Sequence, residues 1–436
     1  MSIDMDRRDF IKISLTAGGA LALGACTGGS RSKGQNDSLE MRVNPKTGDR
    51  VSLLGFGSLD ELDQNTVNQL VDEAFAQGIN YFDTKPRQSE DITAAALLRH
   101  PREKYFIATR IANRFDNPSL KEGQEMLEHS LSVFRTDHID YLLLDELDSR
   151  EEFQTRFQDN GLLDWLLEQR ESGRIRNLGF SFHGTKEAFN DLLATHETIH
   201  WDFVQIQMNY LSWKHASLAE AQPGFRPADA EYLYGELSQR NIPVIAMEPL
   251  LGGRLAQLPQ APVMRLKSRA PECSAASWAY RFCGSFPKVL TIVSGMPYLE
   301  QLQDDIRSLS DFQPLSEKEL AFLEETAQQI LLFPIIPCTG CQYCMPCPYG
   351  LDIPGIFAHH NRCINEDNIP QDAMSPEYRK ARRNYLVSYE RQIPSRRQAA
   401  YCVGCGECMI HCPQGINIPA QMRKIDNYTE KLRKNV

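Results

Sequence analysis

The chain has 436 residues, which is enough for one large domain and one small one. Its composition, 42% hydrophobic and 24% charged, is that of an ordinary globular protein. The net charge of -10 argues against a general nucleic-acid binder, so we expect no nucleic-acid partner. The charge is uneven, because Lys and Arg outnumber Asp and Glu between Pro376 and Val436. That surplus is either a solvated surface or a set of cations that balances an anionic cofactor or docks an acidic partner.

Residues 1–26 have the features of an export signal. Arg7 and Arg8 form a twin-arginine pair, and a short apolar run from Ile13 to Ala25 follows. This run is too short and too rich in Gly to span a bilayer as a stable helix. The pattern predicts export by the twin-arginine route to the periplasm or cell envelope. A chance Arg-Arg pair before an apolar stretch is the alternative.

Cys26 ends the apolar run in the sequence Leu-Gly-Ala-Cys, which resembles a lipobox. In a lipobox the cysteine is acylated, and each buried methylene contributes about 0.8 kcal/mol to membrane binding. We therefore expect a lipid anchor to the membrane at Cys26, with plain cleavage as the alternative. Residues 27–40 are predicted to form a flexible linker.

Eight of the 12 cysteines fall into two tight groups near the C-terminus. The second group has the spacing C-x2-C-x2-C-x3-C-P, which is the bacterial ferredoxin run. The first group is one residue shorter before its last cysteine. Disulfides and a zinc site are the alternatives, although two such runs suit neither framework well. The candidate metal ligands are Cys338, Cys341, Cys344, Cys347, Cys402, Cys405, Cys408 and Cys412.

The ferredoxin pattern predicts two [4Fe-4S] clusters with crossed ligands. In that arrangement the last cysteine of each group binds the cluster of the other group, so that Cys412 joins the first set and Cys347 joins the second. The long spacer 348–401 contains helical patterns, which resemble those of an alpha-helical dicluster ferredoxin. The phrases PYGLDIPGIF and PQGINIPAQM follow the two groups, and each predicts a helix that begins near its proline.

Residues 41–325 alternate strand-like and helix-like patterns. Eight strands, each followed by a helix, are the signature of a (β/α)8 TIM barrel. A doubly wound sheet would need a Gly-rich turn after the first strand, and LGFGSLDE does not supply one. The fold class is therefore α/β, with a TIM barrel followed by a small, mostly α-helical ferredoxin domain over 326–436. The predicted strands are 53–57, 79–84, 105–110, 140–146, 177–182, 203–209, 243–250 and 289–295.

Polar residues stand at the carboxyl ends of these strands, where TIM barrels carry their chemistry. Their convergence predicts a pocket at one mouth of the barrel. Lys85 follows Asp83 closely, but strand alternation predicts that its side chain points elsewhere. The strand-end residues are Asp83, Arg110, Asp145, Glu146, Ser181, His183, Gln205, Tyr210, Glu248, Ser294 and Gly295.

Six segments of the barrel resemble the aldo/keto reductases, and IPCTGCQYCMPCPYGLDIP resembles the branch that carries a C-terminal ferredoxin module. The resemblance implies a TIM barrel that binds NADP(H) and reduces carbonyls. The basic residues that usually bind the 2'-phosphate are missing after Gly295, which leaves NADPH and NADH both open. The segments are INYFDT, IDYLLL, GRIRNLGFSFHG, FVQIQMNY, MEPLLGGRL and SGMPYLEQL. The coenzyme residues that the resemblance implies are Ser181, Gln205, Asn209, Tyr210, Glu248, Leu250, Gly252, Ser294 and Gly295.

The catalytic tetrad of this family is Asp, Tyr, Lys and His, and only its Asp is present, as Asp83. Gln88, Arg110 and Asp145 stand at the other three positions. Gln does not supply a proton as a phenol does, and a general acid is worth about 100- to 10,000-fold. We therefore expect ordinary carbonyl reduction to be severely weakened. Asp145 or His183 is a candidate substitute acid, so the candidate catalytic residues are Asp83, Arg110, Asp145 and His183.

Three functions fit this sequence. The first is an exported iron–sulfur oxidoreductase that couples a barrel-bound substrate or nicotinamide to two [4Fe-4S] clusters. The second is a non-catalytic electron carrier or binding scaffold. The third is an NADP-dependent carbonyl reductase with a substitute acid. Each leaves the redox partner open, and the substrate expected for the barrel is a small carbonyl or carbohydrate-like molecule.

Overall fold

A computed structural model describes residues 38–58, 62–86, 89–111, 117–216, 225–370 and 374–434. The predicted export signal, Cys26 and Gln88 lie outside the described residues, as does the linker up to residue 37. Among the described residues, none of the helices has the length and apolar character needed to cross a membrane.

Eight parallel strands close into a barrel in which each strand pairs with the next along the chain and the last pairs with the first. Their sequences are almost continuously apolar and buried, as expected for strands that are covered on both faces. This closure confirms the predicted (β/α)8 barrel. The strands are β3 Leu54–Phe56, β4 Tyr81–Asp83, β5 Phe106–Ile111, β6 Ile139–Leu147, β7 Ile175–Phe182, β8 Phe203–Gln207, β9 Val244–Met247 and β10 Val289–Ser294.

The amino-terminal end of the barrel is closed by a hairpin of β1 (Met41–Val43) and β2 (Arg50–Ser52). Val51 packs with the aromatic side chains inside the barrel. The amide nitrogen of Asn44 donates to the Tyr141 hydroxyl over 2.9 Å. Because this end is filled, the opposite, carboxyl-end mouth is left to bind ligands.

Helices surround the barrel and pack their apolar faces on the outside of the strands. In Gln64–Ala76, for example, Val67, Leu70, Val71 and Ala74 are buried. The helices of this domain are Gln64–Ala76, Glu90–Leu97, Leu120–Val133, Arg150–Phe153, Leu162–Glu171, Lys186–Ala194, His196–Ile199, Ser212–His215, Ala230–Gln239, Gln260–Arg269, Ala275–Gly284, Leu299–Leu309 and Glu317–Ile330. Shorter turns are the 3-10 helices Arg102–Lys104 and Arg254–Ala256 and the π-helix Gln154–Gln158.

The C-terminal domain is built from the helices Ile353–Asn365, Tyr378–Gln392 and Ile418–Lys434, with 3-10 turns at Ser395–Arg397 and Ala399–Tyr401. Its apolar core includes Ile356, Phe357, Met422 and Ile425. Six of the eight clustered cysteines belong to this core or pack against it. The cysteine loops therefore lie at the edge of a helical core, and the helices predicted in the long spacer are present as Ile353–Asn365 and Tyr378–Gln392.

The repeated phrases after the two cysteine groups begin helices in the same way. Asp352 accepts a hydrogen bond from the Gly355 amide over 3.1 Å. Asn417 accepts one from the Ala420 amide over 3.2 Å. These side chains cap helices that carry proline as their second residue. The sequence repeat is thus a repeat of cysteine loop, cap and helix.

Candidate functional site

The carboxyl ends of the strands open into a cavity of about 2890 Å3 that both domains line. The structure brings 11 of the 13 predicted catalytic and coenzyme residues to its wall. They are Asp83, Arg110, Asp145, Ser181, His183, Gln205, Glu248, Leu250, Gly252, Ser294 and Gly295.

A buried ion network occupies the centre of the mouth. The Arg110 guanidinium pairs with a carboxylate oxygen of Asp83 and, over 3.1 Å, with one of Asp145. All three side chains are buried. Burial raises the pKa of the Asp83 carboxyl, although Arg110 opposes the rise. Burial would lower the pKa of Arg110, but the two carboxylates outweigh it and the pKa lies above its usual value.

Ser181 and Glu146 continue this network along β6 and β7. The Ser181 hydroxyl donates to Asp145 over 3.0 Å and accepts from the Glu146 amide over 2.7 Å. Glu146 and Glu248 both have left-handed backbone conformations, each with φ of 53°. Non-glycine residues adopt this conformation at a cost, and it is enriched at functional sites. Two strand ends are therefore bent so that carboxylates line the mouth.

The first cysteine loop of the C-terminal domain covers the barrel mouth. Thr339, Cys341 and Tyr343 of this loop line the same cavity as Asp83 and Arg110. A Cβ atom on Gly252, at φ +63°, would lie 1.9 Å from the Thr339 carbonyl oxygen. Only glycine allows so close an approach, so the barrel loop and the cysteine loop are fitted to one another.

Tyr343 of this loop contacts the barrel. Its ring centroid lies 5.6 Å from the Lys85 ammonium, and it shares the cavity wall with Glu146. Burial raises the pKa of the phenol well above its usual value, and the nearby carboxylates Glu146 and Asp145 add to the rise. The sequence alone does not indicate this position of Tyr343, because the contact between the domains has no signature within the cysteine run.

The structure contradicts the prediction that Lys85 points away from the mouth, because this side chain lines the cavity. The strand β4 ends at Asp83, so strand alternation no longer applies two residues later. The structure also places Asn209 and Tyr210 away from the cavity wall. Tyr210 is buried in the core, 6.4 Å from the ring of Phe282. The side-chain oxygen Oδ1 of Asn209 instead accepts from the backbone amides of Leu211 and Ser212, in the turn that follows β8.

Further hydrogen bonds join the two domains at the rim of the cavity. The Asn365 amide donates to the Gln257 carbonyl over 2.7 Å. The Gln414 amide donates to the Gln207 side chain over 2.7 Å. The contact between the domains therefore extends around the mouth from the first cysteine loop to the segment after Cys412.

The cavity wall carries acids from the barrel, among them Asp304 and Asp305, and cations from the C-terminal domain. The Tyr280 hydroxyl donates to Asp305 over 2.6 Å, and burial raises the pKa of that carboxyl well above its usual value. Part of the basic surplus of the C-terminal sequence also lines this cavity. Those cations are Arg379, Lys380, Arg383 and Arg391.

None of the eight clustered cysteines forms a disulfide, and their neighbours form the two predicted sets. Burial raises the pKa of Cys338 to about 11, and the Cys412 thiol contributes to the rise. Burial likewise raises the pKa of Cys408 to about 12, with contributions from Cys402, Cys405 and Cys347. The last cysteine of each run thus lies beside the other run.

These neighbours fit the crossed ligation of two cubanes, in which each thiolate binds a different iron. Among the described residues, no three His, Cys, Asp or Glu side chains converge on a single metal ion. Cys344 lies near members of both sets, since Cys341, Cys412 and Cys408 all contribute to its raised pKa after burial. The two sets are therefore adjacent at the edge of the helical core.

Two family models match the chain. The model of the aldo/keto reductase family matches residues 53–328, and that of a 4Fe-4S dicluster domain matches residues 337–417. The chain is 22% identical over 315 residues to the oxidoreductase YqkF of Bacillus subtilis (strain 168), covering 64% of this chain and 94% of that one. It is 21% identical over 306 residues to the L-galactose dehydrogenase of Arabidopsis thaliana, covering 64% and 90% respectively.

Solved structures share the barrel fold. The holo form of the aldo-keto reductase AKR11C1 from Bacillus halodurans superposes with a TM-score of 0.53 at 19% identity, covering 66% of this chain and 96% of that one. An aldo/keto reductase from Klebsiella pneumoniae in complex with NADP and acetate superposes with a TM-score of 0.52 at 20% identity, covering 65% of this chain and 94% of that one. The shared part is the barrel.

Proposed function

Because the chain belongs to the aldo/keto reductase family and carries a 4Fe-4S dicluster domain, we propose that it is an exported oxidoreductase that passes electrons between a molecule in its barrel and two [4Fe-4S] clusters. One observation carries this proposal. The loop that holds Cys338, Cys341 and Cys344 lines the same cavity as Asp83 and Arg110. A molecule in the mouth would therefore lie beside the first cluster, where electron transfer over a short distance is favourable.

The two clusters would supply one-electron steps. Two of them together match a two-electron oxidation of a substrate or nicotinamide. Cys347 and Cys412 would each bind the cluster of the other set and so hold the two clusters side by side, and the second cluster would extend the electron path from the mouth toward an external redox partner. The exposure of Cys405 fits such an exit.

The barrel residues would bind and orient the substrate more than they would protonate it. Arg110 is fixed between Asp83 and Asp145, and Asp145 also accepts from Ser181. These partners hold Asp145 in its place, which disfavours its use as a substitute acid. The described part of the barrel thus supports redox chemistry through the clusters better than ordinary carbonyl reduction.

The substrate would present several hydroxyl groups as well as a carbonyl or alcohol. One carboxylate oxygen of Asp83 and the amide oxygen of Gln205 are buried acceptors with no hydrogen-bond partner among the described residues. Both residues line the cavity, so they can accept hydrogen bonds from substrate hydroxyls. The similarity to an L-galactose dehydrogenase supports a carbohydrate-like substrate.

A nicotinamide coenzyme is the second component that we propose for the cavity. Ser181, Gln205 and Ser294 line it, and the similar structure from Klebsiella pneumoniae binds NADP. The barrel offers acids rather than cations beyond Gly295. Any 2'-phosphate would therefore rely on Arg379 and Arg383 of the C-terminal domain.

The proposed location is the periplasm or cell envelope. The twin-arginine pair Arg7-Arg8 supports export of a folded protein, which is needed if clusters are inserted before export. Cys26 in its lipobox-like sequence supports a lipid anchor. Labelling with a radioactive fatty acid, compared with a Cys26→Ala variant, tests the anchor.

A non-catalytic electron carrier is the second candidate, favoured by the way Arg110 fills the centre of the mouth. Anaerobic titration of the purified protein with NADPH and NADH, followed by cluster absorbance and EPR, separates the two. Reduction of the clusters by either coenzyme supports the oxidoreductase. Clusters that dithionite reduces but that neither coenzyme reduces, with or without a panel of aldoses, would favour the carrier.

A further inference from the structure

Tyr343 belongs to the iron–sulfur domain by sequence and to the barrel site by position. It stands between the cluster ligands Cys341 and Cys344. Its ring lies 5.6 Å from the Lys85 ammonium, and it lines the cavity together with Arg110, Asp145 and Glu146. Tyr343 thus links the barrel mouth to the first cysteine set, because it contacts the barrel and stands between two cysteines of that set.

The surroundings of a cluster control its potential. Hydrogen bonds, nearby charge and solvent exposure around the sulfur ligands all contribute. Tyr343 can affect nearby charge and solvent exposure, because its ring lies against Lys85 and it lines the barrel mouth with Glu146. A change at Glu146 therefore reaches Cys341 and Cys344 through the position of the Tyr343 side chain.

We propose that Tyr343 is a positioning residue that makes the potential of the cluster held by Cys338, Cys341, Cys344 and Cys412 depend on what occupies the barrel mouth. This inference rests on the proposed function for its clusters and its substrate. A molecule that enters the mouth and changes how Tyr343 lies against Glu146 and Lys85 would alter the affinity of that cluster for an electron. By linkage, reduction of the cluster would alter the affinity for the molecule by the same factor.

The test needs no substrate. Midpoint potentials of the full-length holoprotein are measured by mediator-poised titration followed by EPR, in wild type, Glu146→Gln, Tyr343→Phe and the double variant. We expect Glu146→Gln to raise the potential of one cluster only, because a carboxylate is removed beside it. In the Tyr343→Phe background we expect this shift to fall to less than about half, as in a coupled pair.

Tyr349→Phe is the matched control, because Tyr349 follows the same cysteine run but is 51% exposed and lies outside the cavity wall. It should leave both potentials and the Glu146→Gln shift unchanged. A Cys405→Ser variant alters only the second cysteine set, so the EPR signal that changes in it belongs to the second cluster.

The proposal is overturned if the changes in midpoint potential are additive in the double variant. It is also overturned if Glu146→Gln shifts the potentials of both clusters equally, or shifts neither. If Tyr343→Phe does not assemble its clusters, the Glu146→Gln variant alone decides. A change in midpoint potential confined to the first cluster then supports the link, and any other result opposes it. Dithionite and mediators set the potential in this experiment. A protein that NADPH, NADH and aldoses all fail to reduce would therefore lose the proposed function without affecting this test.

Discussion

Arg110 is the residue on which the charge balance of the mouth depends. It is the partner of two buried carboxylates, Asp83 and Asp145. Removal of one member of a buried ion network leaves uncompensated charge and costs about 3–5 kcal/mol. We therefore expect Arg110→Met to lower the free energy of unfolding by that amount. Urea unfolding followed by tryptophan fluorescence measures it, because all 4 tryptophans, at positions 165, 201, 213 and 278, belong to the barrel.

The control for Arg110→Met is Arg99→Met, which breaks an ion pair with Asp72. Both of those side chains are more than 40% exposed. Exposed pairs contribute about 0–1 kcal/mol, so the control should unfold nearly as wild type does. Equal losses of unfolding free energy in the two variants would show that the central network adds no more to stability than an exposed ion pair does.

His360 gives the C-terminal domain a dependence on pH. Burial lowers the pKa of His360 from 6.5 to about 4. The unfolded chain takes up a proton below pH 6.5 while the folded chain stays neutral, so stability is full above that pH and is lost as the pH falls toward 4. The loss amounts to about 2 kcal/mol at pH 5. We expect His360→Phe, which keeps a ring beside Tyr385 and Tyr428, to reduce this loss, measured by urea unfolding at pH 7 and pH 5.

His359 remains in that variant and carries its own acid sensitivity, since burial lowers its pKa to about 3. The variant should therefore weaken the pH dependence without abolishing it. The prediction would be contradicted if the free energy of unfolding fell by the same amount between pH 7 and pH 5 in wild type and in His360→Phe.

At the scale of elements, the contact between the Gly252 loop and the first cysteine loop sets the docking of the two domains. We expect Gly252→Ala to push the loops apart, because its Cβ would collide with the Thr339 carbonyl. Bleaching of the clusters by an iron chelator should then become several-fold faster. Gly48→Ala is the control, since Gly48 has a similar φ of +75° but nothing within 4 Å. Equal bleaching rates in the two variants would argue against a tight interface.

The sequence predicts elements whose residues carry their own periodic signal. All eight barrel strands and the helices that follow the two cysteine groups are of this kind. It does not predict the placement of Lys85, because the end of β4 sets where alternation stops. It also misplaces Tyr210, because an aromatic residue after a strand fits the core and the mouth equally well. The position of Tyr343 depends on how one domain docks on another, and no local pattern encodes that.

At the scale of the whole molecule, the two domains are stabilised in different ways. The barrel closes on its own apolar core, whereas the C-terminal core includes Cys412 and packs against five further cysteines of the two groups. Ligand binding that occurs only in the folded state is folding free energy. Iron removal should therefore weaken the C-terminal domain selectively.

We expect anaerobic chelation to abolish the visible absorbance and to expose residues 331–434 to limited proteolysis, while the tryptophan unfolding transition of the barrel stays in place. Cys405→Ala should reproduce this result by loss of iron. Cys363→Ala is the matched control, because Cys363 is a buried free thiol outside both sets and should keep its clusters. Resistance of the iron-free C-terminal domain to protease would contradict the prediction, since its helices would then hold together without metal. A loss of the barrel transition would instead show that the barrel depends on the domain that covers its mouth.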